Sequence, residues 1–402
     1  MPDPLEGIVV LDLSRLLPGP FATQLLRNLG AEVIKIEEPQ VGDYMRAVPP
    51  TGRGVSYPFL MVNRGKRSVS VDLKRPDGQE ILHRLAATAD VLVEQFRPGV
   101  AARLGADYET LAKANPRLVY CSFSGYGATG PAKDLPGHDI TFEAHAGILG
   151  VTADRTGRPV IPGVPIADLA SGFNAALAIL AGLRTRDRTG RGEFIDVSIY
   201  DTSVCLMLLN LAHLLGTGEE PWPGETMLTG VFPFYALYET KDGRWMAVGA
   251  VEPKFWTRLC ELVGRPDLAE RQFDAGEGRD EVMRILAAAF RARSQKEWDS
   301  LFVEERMPVA PVRRVSEVLD DPHVIDRSLL REVTDDTGSR RIVAHPAKHS
   351  VSTIEDPAHA PSHGEDTEAI LRSLGYSPGA IESFVRQGVV TRSTGPSTER
   401  IT

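Results

Sequence analysis

The chain has 402 residues, 42% of them hydrophobic and 25% charged, the balance of a globular protein with ample material for a large core. At about 100–200 residues per domain, this length predicts two or three domains. The net charge is -9 and no dense Lys/Arg run occurs, which argues against nucleic-acid binding.

The three cysteines, Cys121, Cys205 and Cys260, are far apart and form no CxxC pair. Neither a zinc site nor a disulfide framework is therefore expected, and free thiols fit a reducing compartment. "MPDPLEGIVV" lacks the basic-then-apolar order of a signal peptide, and no uninterrupted apolar run reaches membrane-spanning length. These features predict a cytoplasmic protein that engages neither membrane nor nucleic acid.

In chain order, "GIVVLDL" (7–13) reads as a buried strand. "PGPFATQLLRNLG" (18–30) follows as a helix, with proline at its start and glycine at its end. "AEVIKIE" (31–37) is a second strand, which completes a βαβ unit. Strands at 67–73, 90–96 and 117–127 alternate with helices at 76–89 and 108–116, the pattern of an α/β layered domain. The segment 168–190 is nearly all apolar up to an Arg/Asp cluster, so it predicts a helix buried on every side. A strand and another apolar helix fill 193–216.

Near residue 217 the texture changes to a turn-rich linker, "GTGEEPWPGETMLTG". A β-hairpin turning at Lys241-Asp242-Gly243 follows, then helices at 252–264, 279–292 and 294–306. The expected organisation is a large α/β domain over 1–216, a smaller α+β domain over 217–330, and a return to the large domain over 331–390. The polar stretch 391–402 has no core-forming pattern and reads as a disordered tail.

The first strand–helix turn, "SRLLPGPFA", is neither GxGxxG nor GxxxxGK[ST], so a nicotinamide cofactor or P-loop nucleotide has little support. His138, in "PGHDITF", can carry protons near neutrality, although loop histidines are more often simply hydrogen-bonded. Asp168 opens the apolar helix. There it reads as an N-cap that stays ionised, beside free N–H groups able to receive an oxyanion. Glu252, just before Pro253, reads as a helix-start carboxylate. Lys35, Arg64, Lys66, Arg67 and Arg97 are candidate anion-binding groups, with a solvated surface cluster as the alternative. Arg97 stands out among them, because it follows a buried strand and strand C-termini are where open α/β sheets bind ligands.

Several stretches carry a resemblance: "LPGPFATQLLRNLGAEVIKIE", "VNRGKRSVSVDLK", "VLVEQFRPGV", "SGYGATGP", "GHDITF", "ADLASG", "TGRGEFIDVSIYD" and "DGRWMAVGAVEPKFW". With them the chain resembles the class III CoA-transferase superfamily, and within it the α-methylacyl-CoA racemases. The resemblance implies a Rossmann-like large domain, a small domain and an interlocked homodimer. Its substrate is an acyl-CoA thioester, with no prosthetic cofactor and no metal. By motif position, Lys35, Arg64, Lys66 and Arg97 are implied to hold CoA.

The resemblance also implies roles. In racemases, His138 and Asp168 act on opposite faces of an enolate, and Glu252 supports the histidine. In transferases, Asp168 attacks the thioester and carries acyl and CoA groups in turn. Histidine at position 138 favours inversion at the α-carbon of a 2-methyl-branched acyl-CoA as the expected activity, with CoA transfer between carboxylic acids as the alternative. A non-catalytic acyl-CoA-binding protein is a third possibility. Two positions depart from the racemase pattern: Val164 stands where asparagine is usual, and Val231 interrupts a Gly-Gly stretch.

Overall fold

The computed structural model describes residues 3–52, 55–154, 156–227, 229–335, 338–352 and 356–393. The chain divides into two compact units. One holds residues 1–146, 162–207 and 325–402, and the other 147–161 and 208–324. The expected boundaries were 217 and 330. The apolar stretch expected as one helix is interrupted at Met207, and only its first half belongs to the first unit. Residues 147–161, expected in the large domain, go with the second unit. Most of the expected disordered tail, from 394 onward, lies outside the described residues, whereas Thr391 pairs in a sheet.

The first unit is built on a seven-stranded sheet. Its parallel strands are β1 (Val9–Leu13), β2 (Glu32–Glu37), β3 (Arg67–Val71), β4 (Val91–Glu94), β5 (Val119–Ser124) and β6 (Phe194–Ser198). They lie in the order β3-β2-β1-β4-β5-β6, and Val390–Thr391 adds an antiparallel edge beside β3. Parallel strands are covered on both faces, which is why they read as continuous Val/Ile/Leu runs. Alternate residues serve the two faces: Val10, Val33, Val91 and Val119 in one core, Leu11, Ile34, Leu92 and Tyr120 in the other.

The helices that matter here are α1 (Pro18–Asn28), α2 (Pro76–Ala86), α3 (Tyr108–Ala114), α4 (Asp139–His145), α5 (Ile166–Thr189) and α6 (Ile199–Leu206). Pro18 starts α1, where a missing N–H costs nothing. Helix α5 packs closely on α1 because Gly172 has no side chain; a Cβ there would sit 2.7 Å from the Phe21 ring and 3.0 Å from the Pro18 carbonyl. Helix α5 is not buried on every side as expected, since Phe173 and Leu177 are 50% and 66% exposed. By length and composition it could cross a membrane, a property that a search for uninterrupted apolar runs overlooks. Here its other face lies in the core, and the buried Arg186 pairs with Asp90 at 2.6 Å.

The second unit has an antiparallel sheet of β7 (Tyr235–Glu239), β8 (Trp245–Gly249) and β9 (Val309–Pro311), with β8 in the middle. The hairpin expected around Asp242 is the β7–β8 connection. Helices Pro253–Leu262, Gly276–Phe290 and Gln295–Glu304 supply Trp256, Phe290, Trp298 and Phe302 to its core.

Candidate active site

Strand order reverses at β1, so its carboxyl end and that of β4 open a crevice of the kind where α/β sheets take ligands. The turn after β1 holds Leu16 at φ 62, a strained conformation for a non-glycine residue, fixed by its N–H bonding to Asp43 Oδ1 at 3.0 Å. Arg15, in the same turn, lies over the Tyr44 ring. Arg97 follows β4 and is exposed.

The other expected phosphate-binding cations face inward. Lys35 is fully buried, with its Nζ 2.8 Å from Asp43 Oδ2 and 2.9 Å from the Ser14 carbonyl. Lys66 donates to Asp12 Oδ2, Thr23 Oγ1, Asn63 Oδ1 and the Pro20 carbonyl. Burial disfavours the Asp12 charge, but Lys66 and Lys35, with Ser14 and Thr23, hold its carboxyl well below the usual range. Arg64 is also buried, bonded to the Met61 and Val343 carbonyls and to Asp356. For these three the expectation of a ligand contact is corrected: all are buried and bonded to protein oxygens, with Arg64 Nε alone among their nitrogens left without a partner. Arg67, the remaining cation of that cluster, pairs on the surface with Glu32 and Asp366.

The second cluster forms where α4 and α5 begin. The loop after β5 runs from Gly125 to His138 and returns over the Phe142 ring. A Cβ on Gly137 would approach that ring to 2.6 Å, so the turn into "GHD" requires glycine. Tyr126 in this loop bonds His145 Nδ1 at 2.9 Å through its hydroxyl. His138 is the N-cap residue of α4; Thr141 Oγ1 accepts its N–H and donates to its carbonyl, and the residue is exposed.

Asp139 and Glu143 lie one turn apart on α4 and turn toward α5. Asp139 Oδ1 accepts the Asp168 N–H at 3.0 Å, and Glu143 Oε1 accepts the Ile166 N–H at 3.3 Å. Helix α5 starts at Ile166 after Pro165, so Asp168 is its third residue and not an N-cap as expected. Nor are all of its first-turn N–H groups free for an oxyanion, because two are already bonded to carboxylates.

Asp168 is half-buried. Burial, with the neighbouring carboxyl groups of Asp139 and Glu143, pushes its carboxyl up to about 7. The helix terminus was expected to keep Asp168 ionised; here desolvation and like charge outweigh that dipole. Burial and Asp139 likewise raise Glu143. Among the described residues no ion pair joins a cation to Asp139, Glu143 or Asp168.

The structure thus brings the His138–Asp139 dipeptide to the start of α5, although 30 residues separate His138 from Asp168. Glu252 lies in the second unit as the exposed N-cap residue of Pro253–Leu262. Asp139 and Glu143 escaped notice in the sequence. Their four-residue spacing just after His138 was the available signal, since it puts both carboxylates on one helix face. A cavity of about 490 Å³ in the second unit, lined by Trp245, Arg284 and Arg291, contains none of the expected site residues.

A mostly parallel α/β sheet with a raised carboxylate beyond its strand ends fits an enzyme that handles an activated acyl group. The family model for CoA-transferase family III matches residues 5–367. The chain belongs to that family. It is 37% identical to a mouse succinyl-CoA:glutarate CoA-transferase, over 96% of this chain and 90% of the relative. It is 35% identical to the human alpha-methylacyl-CoA racemase, over 93% and 94%. A crystal structure of a CAIB/BAIF family protein from Brucella suis superposes with a TM-score of 0.82 at 29% identity, covering 93% of this chain and all of that one.

Proposed function

We propose that the protein is a CoA transferase that moves CoA between two carboxylic acids through Asp168. The observation that carries this reading is the Asp168 carboxylate, half-buried, beside two other carboxylates and poised near neutrality. A raised pKa makes the ionised oxygen a stronger nucleophile while leaving a large ionised fraction at neutral pH. One Asp168 oxygen attacks the thioester carbonyl, the C–S bond breaks, and CoA leaves as thiolate, giving a mixed anhydride. The thiolate attacks the Asp168 side-chain carbonyl, releasing the donor acid and leaving an aspartyl-CoA thioester. The acceptor carboxylate then repeats the two steps in reverse and departs as the new thioester. The balance needs no prosthetic group. CoA itself is the cargo, and Arg97 and Arg15 beside the crevice are the groups best placed to receive its phosphates.

Self-association belongs to the same reading. Helix Leu208–Thr217 has no buried residue, and Leu208, Leu209 and Leu215 are exposed, an apolar face suited to a second copy of the chain.

The racemase reading stands second, on one specific observation: an exposed imidazole, His138, whose neighbour Asp139 is bonded to Asp168. One incubation separates the two. The protein is mixed in heavy water with succinyl-CoA and glutarate, and separately with a 2-methylacyl-CoA and no acceptor acid. Transfer of CoA to glutarate or another carboxylate, with an intermediate at Asp168 trapped by hydroxylamine, is the expected result. Deuterium entering the α-carbon without any transfer overturns it in favour of epimerisation.

A further inference from the structure

The Glu143 side chain is 0% exposed, yet only one of its oxygens has a hydrogen-bond donor. Oε2 has no partner and lies away from water. An ionised carboxylate in that position leaves a charged oxygen desolvated and unpaired, which is strongly unfavourable. Asp139 is within hydrogen-bonding reach on the same helix face. The three carboxylates are not arranged as a metal site, since among the described residues no group of three His, Cys, Asp or Glu side chains could hold an ion.

We propose that Glu143 is held protonated and donates its Oε2–H to the Asp139 carboxylate, so that the pair carries a single negative charge against the first turn of α5. This resolves the orphaned oxygen, because a protonated carboxyl gains a donor and Asp139 is the acceptor at hand. It also explains how three carboxylates share one corner without a cation. Two like charges that close share a proton. Glu143 is then a positioning residue. Through Oε1 it holds the Ile166 N–H, and through Asp139 it holds the Asp168 N–H, which fixes the backbone that aims Asp168.

The titratable groups around Glu143 are few. On its own helix these are Asp139 and His145, the latter bonded to Tyr126 of the β5 loop. Helix α5 contributes Asp168, and α6, which also packs on α4, brings Tyr200 and Asp201 in its first turn. None is a cation paired with Glu143. The raised pKa of Glu143, from burial and then Asp139, agrees with the geometry.

The inference rests on Asp168 being the reacting carboxylate only for its kinetic consequence, and the test has an arm that is independent of activity. Infrared spectra of the full-length protein are recorded above the Asp168 titration. A protonated-carboxyl carbonyl band is expected there in the parent and is absent in Glu143→Gln. In CoA transfer, Glu143→Gln supplies an N–H where the O–H was and keeps the same charge. The midpoint of its pH–rate profile is therefore expected within about 0.3 unit of the parent. Glu143→Leu removes the donor and moves that midpoint upward. Absence of the band overturns the proposal, and so does a Glu143→Gln midpoint lowered by about one unit or more, the sign of a removed charge. If Glu143→Gln does not fold, Glu143→Asp and the parent band still decide. If CoA transfer is absent but the band is present, the proton assignment stands and the transferase reading fails alone.

Discussion

Asp139 accepts the backbone N–H of Asp168 at 3.0 Å, which fastens the loop end that carries His138 to the helix that carries the Asp168 carboxyl. Burial, joined by the negative charge that this contact puts next to Asp168, lifts that group to about 7. Attack on a thioester needs the ionised form, so activity rises with pH and reaches half its plateau near 7. A rate profile already flat well below neutrality contradicts this.

The raised pKa also has a cost in stability. Between about 3.8 and 7 the folded chain keeps a proton on Asp168 that the unfolded chain has released. Stability therefore falls as pH rises through this window and stays lower above it. Asp168→Asn removes the burdened charge. Above neutrality it is expected to raise stability by roughly 2 kcal/mol, allowing for partial exposure, and to lower transfer by about a thousandfold or more. Urea unfolding and a transfer assay on the same sample check both. A loss of stability would sink the claim that this site is strained.

His138 separates the two chemistries. Its backbone, held by Thr141, supports the start of α4, and its side chain is exposed. His138→Ala should leave folding nearly unchanged, within about 0.5 kcal/mol. Transfer should continue within about tenfold, while any α-proton exchange with solvent disappears. Equal loss of both activities points to a shared step through the imidazole.

Much of this was legible in the sequence, for identifiable reasons. The βα alternation, the Pro–Gly limits of α1 and the Asp242 hairpin follow from short-range chemistry that the chain states openly. Lys35 and Lys66 were misread because a lysine in or beside an apolar strand looks the same whether it faces a ligand or a buried aspartate; the partners Asp43 and Asp12 are chosen by the fold. Asp168 was read as an N-cap kept ionised by the helix dipole, whereas it is the third residue of α5 and its carboxyl is raised. The helix dipole acts locally and can be read from position, whereas the opposing carboxylates come from a separate helix. The break at Met207 and the departure of 147–161 to the second unit have no composition signal.

Glu37 predicts the acid limit of the fold. Burial opposes its charge, but bidentate contact with Arg46 at 2.6 and 2.8 Å, helped by Lys35, holds its carboxyl down to about 2. A depressed carboxylate contributes stability that is complete above its unfolded value near 4.5 and is lost as pH falls through the folded value. Unfolding by acid should therefore develop between about pH 4.5 and 2. Glu37→Gln should flatten that part of the stability curve, while lowering stability at neutral pH by a few kcal/mol, on the order of 2–3. Circular dichroism across the acid range follows both effects.

Lys66 and Arg97 make opposite predictions about what a cation near the crevice is for. Lys66 neutralises buried Asp12 and spends its donors on four protein oxygens. Lys66→Met leaves that carboxylate short of its partner, at a cost of about 3–5 kcal/mol. The molecules that still fold should bind CoA with unchanged affinity. Arg97 is exposed at the carboxyl end of β4, so Arg97→Ala should leave stability within about 0.5 kcal/mol. If Arg97 meets a CoA phosphate, losing that charge-assisted bond weakens binding by about tenfold or more. Urea midpoints together with titration calorimetry on CoA distinguish the two residues. If Lys66→Met weakened CoA binding at full stability, the lysine would be a ligand group after all.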